Sequence, residues 1–238
     1  MDSNNISHHI SHKFDEEMEN LHNQVLKMGG LVEQQISGAI EALKYSNAPD
    51  AEKIILQDHK VNALEVAIDE ACTRILAKRQ PAASDLRMVI AVIKTITDLE
   101  RIGDEAERIA KMALNLAEND TPIHSRFAGI RHLGEQVKQM VHDVLDAYAR
   151  LSVDAALKVV REDNNTDKDY QDLMRMLITY MMEDPRTISQ VLDMIWAARA
   201  LERIGDHAKN IGEYVIYLVK GKDIRHLDLD EVEKDILS

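Results

Sequence analysis

Aromatic residues, prolines, glycines and cysteines are all scarce in this chain of 238 residues: 4% Phe, Trp and Tyr together, four prolines, nine glycines and one cysteine. A β-sandwich or barrel needs frequent turns and many aromatic and β-branched residues, so their scarcity excludes those classes. The single Cys72 cannot close an internal disulfide, which fits a reducing compartment. No stretch approaches the roughly 20 apolar residues of a membrane span, and the polar segment Met1 to Phe14 lacks the apolar core of a signal peptide. Positive charge is also in deficit, with 29 Lys and Arg against 42 Asp and Glu, a formal net charge of −13. Nucleic-acid binding needs a basic surface that releases counterions, and adsorption to anionic lipid needs the same sign. An acidic surface instead favours cations or basic protein partners. The chain is expected to be cytoplasmic, with any membrane role reached through a partner.

What remains is 45% hydrophobic, 30% charged and rich in Ala, Leu, Ile, Glu, Lys and Met, a profile that favours helices. Apolar residues recur at three- and four-residue spacing over six segments, about 15–46, 50–79, 83–119, 125–151, 153–182 and 185–220. Pro49, Pro81, Pro122 and Pro185 fall near their boundaries. Asp184-Pro185 reads as a cap before a first-turn proline, Ser84-Asp85 as a cap for the third helix, and Gly221 as the end of the last. The expected fold is all-α: two tandem, pseudo-symmetric, antiparallel three-helix bundles over 15–120 and 121–222, with loose or loosely docked tails at 1–14 and 223–238.

The symmetry comes from a repeat. Leu99-Glu100-Arg101-Ile102-Gly103-Asp104 recurs letter for letter as Leu201-Glu202-Arg203-Ile204-Gly205-Asp206, and Val89, Ile93, Ala106 and Ile109 fall on Val191, Ile195, Ala208 and Ile211 at the same offset. The third and sixth helices therefore correspond, and the halves are expected to meet in a pseudo-twofold or tandem arrangement. Whatever Glu100 and Asp104 do is done twice.

On a helical wheel Glu100 lies about 40° from Ile96 and about 20° from Ile93, inside the apolar stripe, with Asp104 one turn later. Glu202 and Asp206 repeat the placement beyond Val191, Met194, Ile195 and Ala198. In the second helix Asp58, Asn62, Glu65 and Asp69 line one flank of the stripe, and in the fifth Asp163 and Asp167 interrupt it. Each half thus offers two pairs at four-residue spacing: Asp58/Asn62 with Glu100/Asp104, and Asp163/Asp167 with Glu202/Asp206. Like charges at that spacing repel, and a carboxylate in an apolar face costs several kcal/mol unless a partner neutralises it. A metal cation, an arginine or a proton would serve. Oxygen-only ligation suits Fe, Mn, Mg, Ca or Zn, and Gly103 and Gly205 would let a backbone or an ion come close. Against this, Asp104 and Arg108 stand four apart and could simply pair, although Asp206 and Asn210 could not.

Other sites read as blander. Only Glu19 to His22 matches the Glu-x-x-His of ferritin-like di-metal centres, once and outside the repeat. His207 has Glu105 as its counterpart and reads as a surface residue more than an accessory ligand. His8, His9 and His12 read as solvent-exposed. Cys72 and the cluster Met174, Met176, Met181 and Met182 read as core or interface filler. No Gly-rich phosphate loop, Ser-His-Asp order or paired Cys is present, so the chain is not expected to be an enzyme.

The repeated hexapeptide, the Asp85-Leu86-Arg87 run and the stretch from Leu201 through His207 to Ile211 resemble the PhoU family over about residues 14 to 222. That resemblance implies multinuclear metal clusters, of iron or zinc type, held by Glu100/Asp104 and Glu202/Asp206 with the facing Asp58/Asn62 and Asp163/Asp167. Manganese or magnesium also fit oxygen ligands. Because Asn62 departs from a fully carboxylate pattern, the first site is expected to be the weaker or to hold fewer ions. The resemblance further implies a negative regulator of the bacterial phosphate-starvation response. Such a protein would be a homodimeric adaptor between PstB, the ATPase subunit of the phosphate ABC transporter, and the sensor histidine kinase PhoR. It would be cytoplasmic and peripheral at the inner membrane through those partners. Two other readings stand beside it: a carboxylate-bridged di-metal enzyme, and a metal-free helical scaffold whose acids meet arginines.

Overall fold

The computed structural model describes residues 3–79, 81, 83–118, 128–227, 229 and 232, with side chains from residue 13 onward. Its elements are α1 (Ser3–Tyr45), α2 (Ala48–Gln57), α3 (His59–Arg79), α4 (Ala83–Glu118), α5 (Ala128–Arg150), α6 (Val153–Glu183), a 3₁₀ turn Pro185–Thr187 and α7 (Ile188–Lys220). No strand occurs among the described residues. The six expected segments are present, with the second divided at Asp58. There the Asp58 carbonyl accepts from the N–H of Val61 at 2.9 Å as well as that of Asn62 at 3.3 Å, so the turn is tighter than an α-helix. α1 begins at Ser3, so helix also covers the segment read as a tail. The side chains of His8, His9 and His12 lie outside the described ones, as does Pro122.

Local chemistry explains the ends. Ser46 and Leu151 both take positive φ, 49° and 50°. Each is followed by a backbone N–H that reaches back five residues, Asn47 to the Ala42 carbonyl and Ser152 to that of Ala147. These are matching helix-terminating turns in the two halves. Asn47 and Ser152 then cap the next helix, their side chains accepting from the N–H of Asp50 and Ala155. Asp184 accepts from Arg186 N–H at 3.2 Å as expected, but the turn it caps is 3₁₀ and α7 starts at Ile188. Gly221 closes α7 at φ 70° with its N–H on the Tyr217 carbonyl. Ser84, read as a cap, instead lies inside the first turn of α4.

α1, α2, α3 and α4 form one antiparallel bundle, and α5, α6 and α7 form another, with the split second helix counting once. They share one continuous core. Val89, Val92, Ile96, Leu99, Ile102 and Ile109 of α4 and Val191, Met194, Leu201, Ile204 and Ile211 of α7 are all buried in it. α4 and α7 pack along each other. Asp98 meets Asn210, Glu105 meets Arg203, and Asn115 meets Asp193. Those contacts step along the two helices in opposite directions, in one register that brings Gly103 level with Gly205. The repeat thus pairs with itself about a pseudo-twofold axis. Within the segment read as a C-terminal tail, Ile224 and Val232 are buried in the same core.

Candidate metal sites on the repeated helices

In the first half the acids are gathered by α3 and α4, with help from α1. Asp58, at the interruption between α2 and α3, is only 8% exposed. Its Oδ1 accepts from Gln35 Nε2 at 3.3 Å and its Oδ2 from Asn62 Nδ2 at 2.9 Å. The other oxygens of those amides, Gln35 Oε1 and Asn62 Oδ1, are buried without a hydrogen-bond partner. Buried oxygens left so are costly and point to a missing donor or cation. Glu100 and Asp104, partly buried on α4, complete the cluster with Glu65 of α3. Burial pushes the Glu100 pKa up, and the negative charges of Asp104, Glu65 and Asp58 push it further. Burial and Asp58 raise Asp104, while burial, Asp69 and Asp104 raise Glu65. A Cβ at Gly103 would stand 3.2 Å from Gln35 Oε1 and 3.4 Å from Asp58 Oδ1, so the glycine is where the α4 backbone closes on these oxygens.

In the second half the acids come from α6 and α7. Asp163 is 2% exposed. Asp163, Asp167 and Asp206 each bring a carboxylate oxygen within 4.8 Å of the other two. Glu202 lies beside them. Burial raises its pKa, as do Asp206, Asp167 and Asp163, against the pull of Arg199. Burial, Asp163 and Asp167 raise Asp206. Glu202 Oε1 accepts from Arg199 Nη1 at 3.1 Å, but its Oε2 is buried without a partner. Lys209 Nζ donates to Asp163 Oδ2 at 2.6 Å.

The structure therefore brings together Asp58, Asn62, Glu100 and Asp104 on one seam and Asp163, Asp167, Glu202 and Asp206 on the other. The alternative pairing of Asp104 with Arg108 does not form. Arg108 Nη1 instead binds Glu105 Oε1 at 2.7 Å, and Arg203 reaches the same oxygen from α7 at 3.0 Å. His207 is not on the surface: it is 8% exposed, and its Nδ1 lies 2.6 Å from Asp98 Oδ1 in the α4–α7 seam, where the buried acid holds it. His22 stacks on Tyr148 with ring centroids 4.9 Å apart, while Glu19 is exposed. Cys72 is buried in the core, its thiol pushed up to about 12 chiefly by burial. Met182 is exposed, and Met174, Met176 and Met181 are half-buried.

A family model described as the PhoU domain matches residues 25–113 and again 130–215. The chain belongs to the PhoU family. Each match ends inside a repeated helix, the first in α4 and the second in α7, so the two PhoU domains correspond to the two bundles. The phosphate-specific transport system accessory protein PhoU of Escherichia coli is 49% identical over 235 residues, 98% of this chain and 96% of that one. Its named homolog in Pseudomonas aeruginosa is 48% identical over 236 residues, 99% and 97% of the two chains. The crystal structure of PhoU from Pseudomonas aeruginosa superposes with a TM-score of 0.85 at 50% identity, covering 88% of this chain and all of that one. The phosphate transport system regulatory protein PhoU from Streptococcus pneumoniae superposes at 0.81, with 33% identity and coverage of 88% and 98%.

Within this PhoU fold the side chains not singled out in the sequence are Gln35, Arg199 and Lys209, together with Glu65, noticed on the helix flank but not chosen. Gln35 had a readable signal: it is a polar residue inside the apolar spacing Val32, Ile36, Ala39 of α1. Lys209 and Arg199 had none, because a lysine on a helix beside an acidic stripe is ordinary until the neighbouring helix is placed.

Proposed function

We propose that this protein is the accessory protein of a phosphate-specific transport system. In this reading it acts as a negative regulator of the phosphate-starvation response, linking the transporter ATPase PstB to the sensor kinase PhoR. The observation that carries the reading is near-full-length identity of about one residue in two with accessory proteins so named. The molecule has the form such a role needs. Among the described residues no helix is long and apolar enough to cross a membrane, and Trp196, Leu192 and Ile188 stand exposed at four-residue intervals along α7, where a partner could dock. The test is a pull-down with PstB and with PhoR, at high and low phosphate, alongside deletion and a phosphatase reporter of the starvation response. Contact with both and a constitutively active reporter are expected. Contact with neither, at either phosphate level, would refute the adaptor.

We further propose that the two carboxylate seams hold metal ions of iron, zinc, manganese or magnesium type. The residues fit such a guest: hard oxygen donors facing each other from two helices, carboxylates whose pKa values are raised by burial and by one another, and the partnerless buried oxygens of Gln35, Asn62 and Glu202. Asp58, Asn62, Glu65, Glu100 and Asp104 would hold one set, and Asp163, Asp167, Glu202 and Asp206 the other. A bound cation would supply charge neutralisation and tie α3 to α4 and α6 to α7. Elemental analysis of protein purified without chelator tests this, with bound metal expected and its loss on combining Glu100→Ala with Glu202→Ala. The neighbours of the acids are Gln35 and Asn62 in the first seam and Arg199 and Lys209 in the second, with His207 next to Asp206.

A further inference from the structure

The two seams carry equal acid but unequal base. Asp58, Glu65, Glu100 and Asp104 face Asp163, Asp167, Glu202 and Asp206 as four carboxylates each. In the first seam the hydrogen-bonding partners are neutral amides, Gln35 and Asn62. Among the described residues no lysine or arginine bonds to its acids. Arg101, Arg108 and Lys111 act only at a distance, and Arg108 and Lys111 are held by Glu105 and Glu107. In the second seam Lys209 and Arg199 are bonded directly to Asp163 and Glu202. The repeat sets Lys209 where α4 has Glu107, so the lysine is a difference of sign and not a variation of degree.

Geometry follows the charge. Asp163, Asp167 and Asp206 are the one group of acids among the described residues with oxygens drawn within 4.8 Å of one another. Like charges this close are held by a positive charge or a shared proton, and the Lys209 ammonium is there, 2.6 Å from Asp163. Burial works against that ammonium, but the hydrogen bond and charge of Asp163, helped by Glu213 and Asp206, outweigh it and raise its pKa. The lysine also has somewhere to go. It lines an open hollow of about 450 Å³ with Arg203, Asn210 and Glu213. Glu213, four residues along α7 and 7% exposed, is pushed up by burial with Lys209 as the largest opposing charge.

We infer that Lys209 is the resident cation of the second site, so that a metal ion enters the first site freely but enters the second only by displacing Lys209 towards Glu213. The sites then fill in order, first before second, the reverse of the order that Asn62 suggested from sequence. This inference rests on the metal reading above and concerns how the two sites share the ions.

The test is Mn²⁺ titration of the full chain after chelator treatment, by equilibrium dialysis with elemental analysis, read beside thermal melts. Two affinity classes are expected, the tighter lost in Glu100→Gln and the weaker in Glu202→Gln. Lys209→Gln should tighten the weaker class at least about tenfold, as removal of a close unit charge would. Lys209→Arg, which keeps the charge and the fold, should restore it. A weaker class unmoved by Lys209→Gln, or a tighter class lost with Glu202→Gln, overturns the inference and leaves ion binding standing. Mn²⁺ bound at neither seam overturns both.

Discussion

Neutralising one carboxylate of the second seam should change stability in opposite directions with and without metal. Asp206→Asn keeps the shape of the side chain and removes one of three charges whose oxygens lie within 4.8 Å of one another. At 4.8 Å, with an effective dielectric of about 20, each like-charge pair costs about 3.5 kcal/mol before screening. Asp206 is only partly buried, so water screens much of this, and the variant also gives up attraction to Lys209. A net gain of about 1 kcal/mol remains for the metal-free protein. For a chain of this length that is a rise in melting temperature of about 2–4 °C. With Mn²⁺ in excess the wild type should gain stability by mass action and the variant should gain much less. The assay is thermal or urea unfolding in chelator and again in Mn²⁺. If Asp206→Asn melted lower in chelator, the carboxylate would be a structural acceptor and the argument from repulsion would be wrong.

Three further outcomes follow from the same geometry. Glu65, Glu100, Asp104, Glu202, Asp206 and Glu213 all have pKa values raised, chiefly by burial, from their ordinary ones in the folded state. The stability they lend is therefore full below a pH of about 4 and lost as pH rises through their folded values, so metal-free protein should melt higher at about pH 5 than at about pH 7.5, and saturating metal should flatten the difference. Acidification below about pH 4 should reverse the trend, because Asp223, held down to about 2 by its hydrogen bond to Arg225, and Glu17, held down by Arg79, lose their pairs there. Gly205→Ala should be neutral or stabilise by up to about 1 kcal/mol of helix propensity, since its Cβ would meet nothing nearer than Thr166 Cγ2 at 3.4 Å; Gly103→Ala crowds Gln35 Oε1 at 3.2 Å and should weaken metal binding at the first site, read by titration. Asp98→Ala should cost about 2–3 kcal/mol in urea unfolding, because it leaves buried His207 and half-buried Asn210 without their acceptor in the α4–α7 seam.

The helices were legible because their signal is local. Period, proline and cap residues placed α4, α5 and α6 within a few residues, and the doubled hexapeptide announced that α4 and α7 are equivalent. What stayed hidden depends on distant chain. At the interruption Asp58 meets Gln35, a residue of another helix, and no pattern within 50–79 announces the break. The antiparallel pairing of the repeats was one of two arrangements that the sequence left open. At the sites, the residue types on the seams could be read because a carboxylate in an apolar stripe is conspicuous on a wheel. Their counter-charges could not: Arg108 turned to Glu105, three residues back on its own helix, rather than to Asp104, and His207 turned inward to Asp98 across the α4–α7 seam.

The self-pairing of α4 with α7 bears on the protein's history. A two-sided seam with one register, crossing itself where Gly103 meets the level of Gly205, is the geometry of an isologous contact between identical subunits. A polypeptide of half this length, carrying one hexapeptide and one acidic seam, would associate with its own copy in that register. Fusion of two such copies would free each half to diverge, and Glu107 against Lys209 marks one place where the descendants of a single position now carry opposite charge.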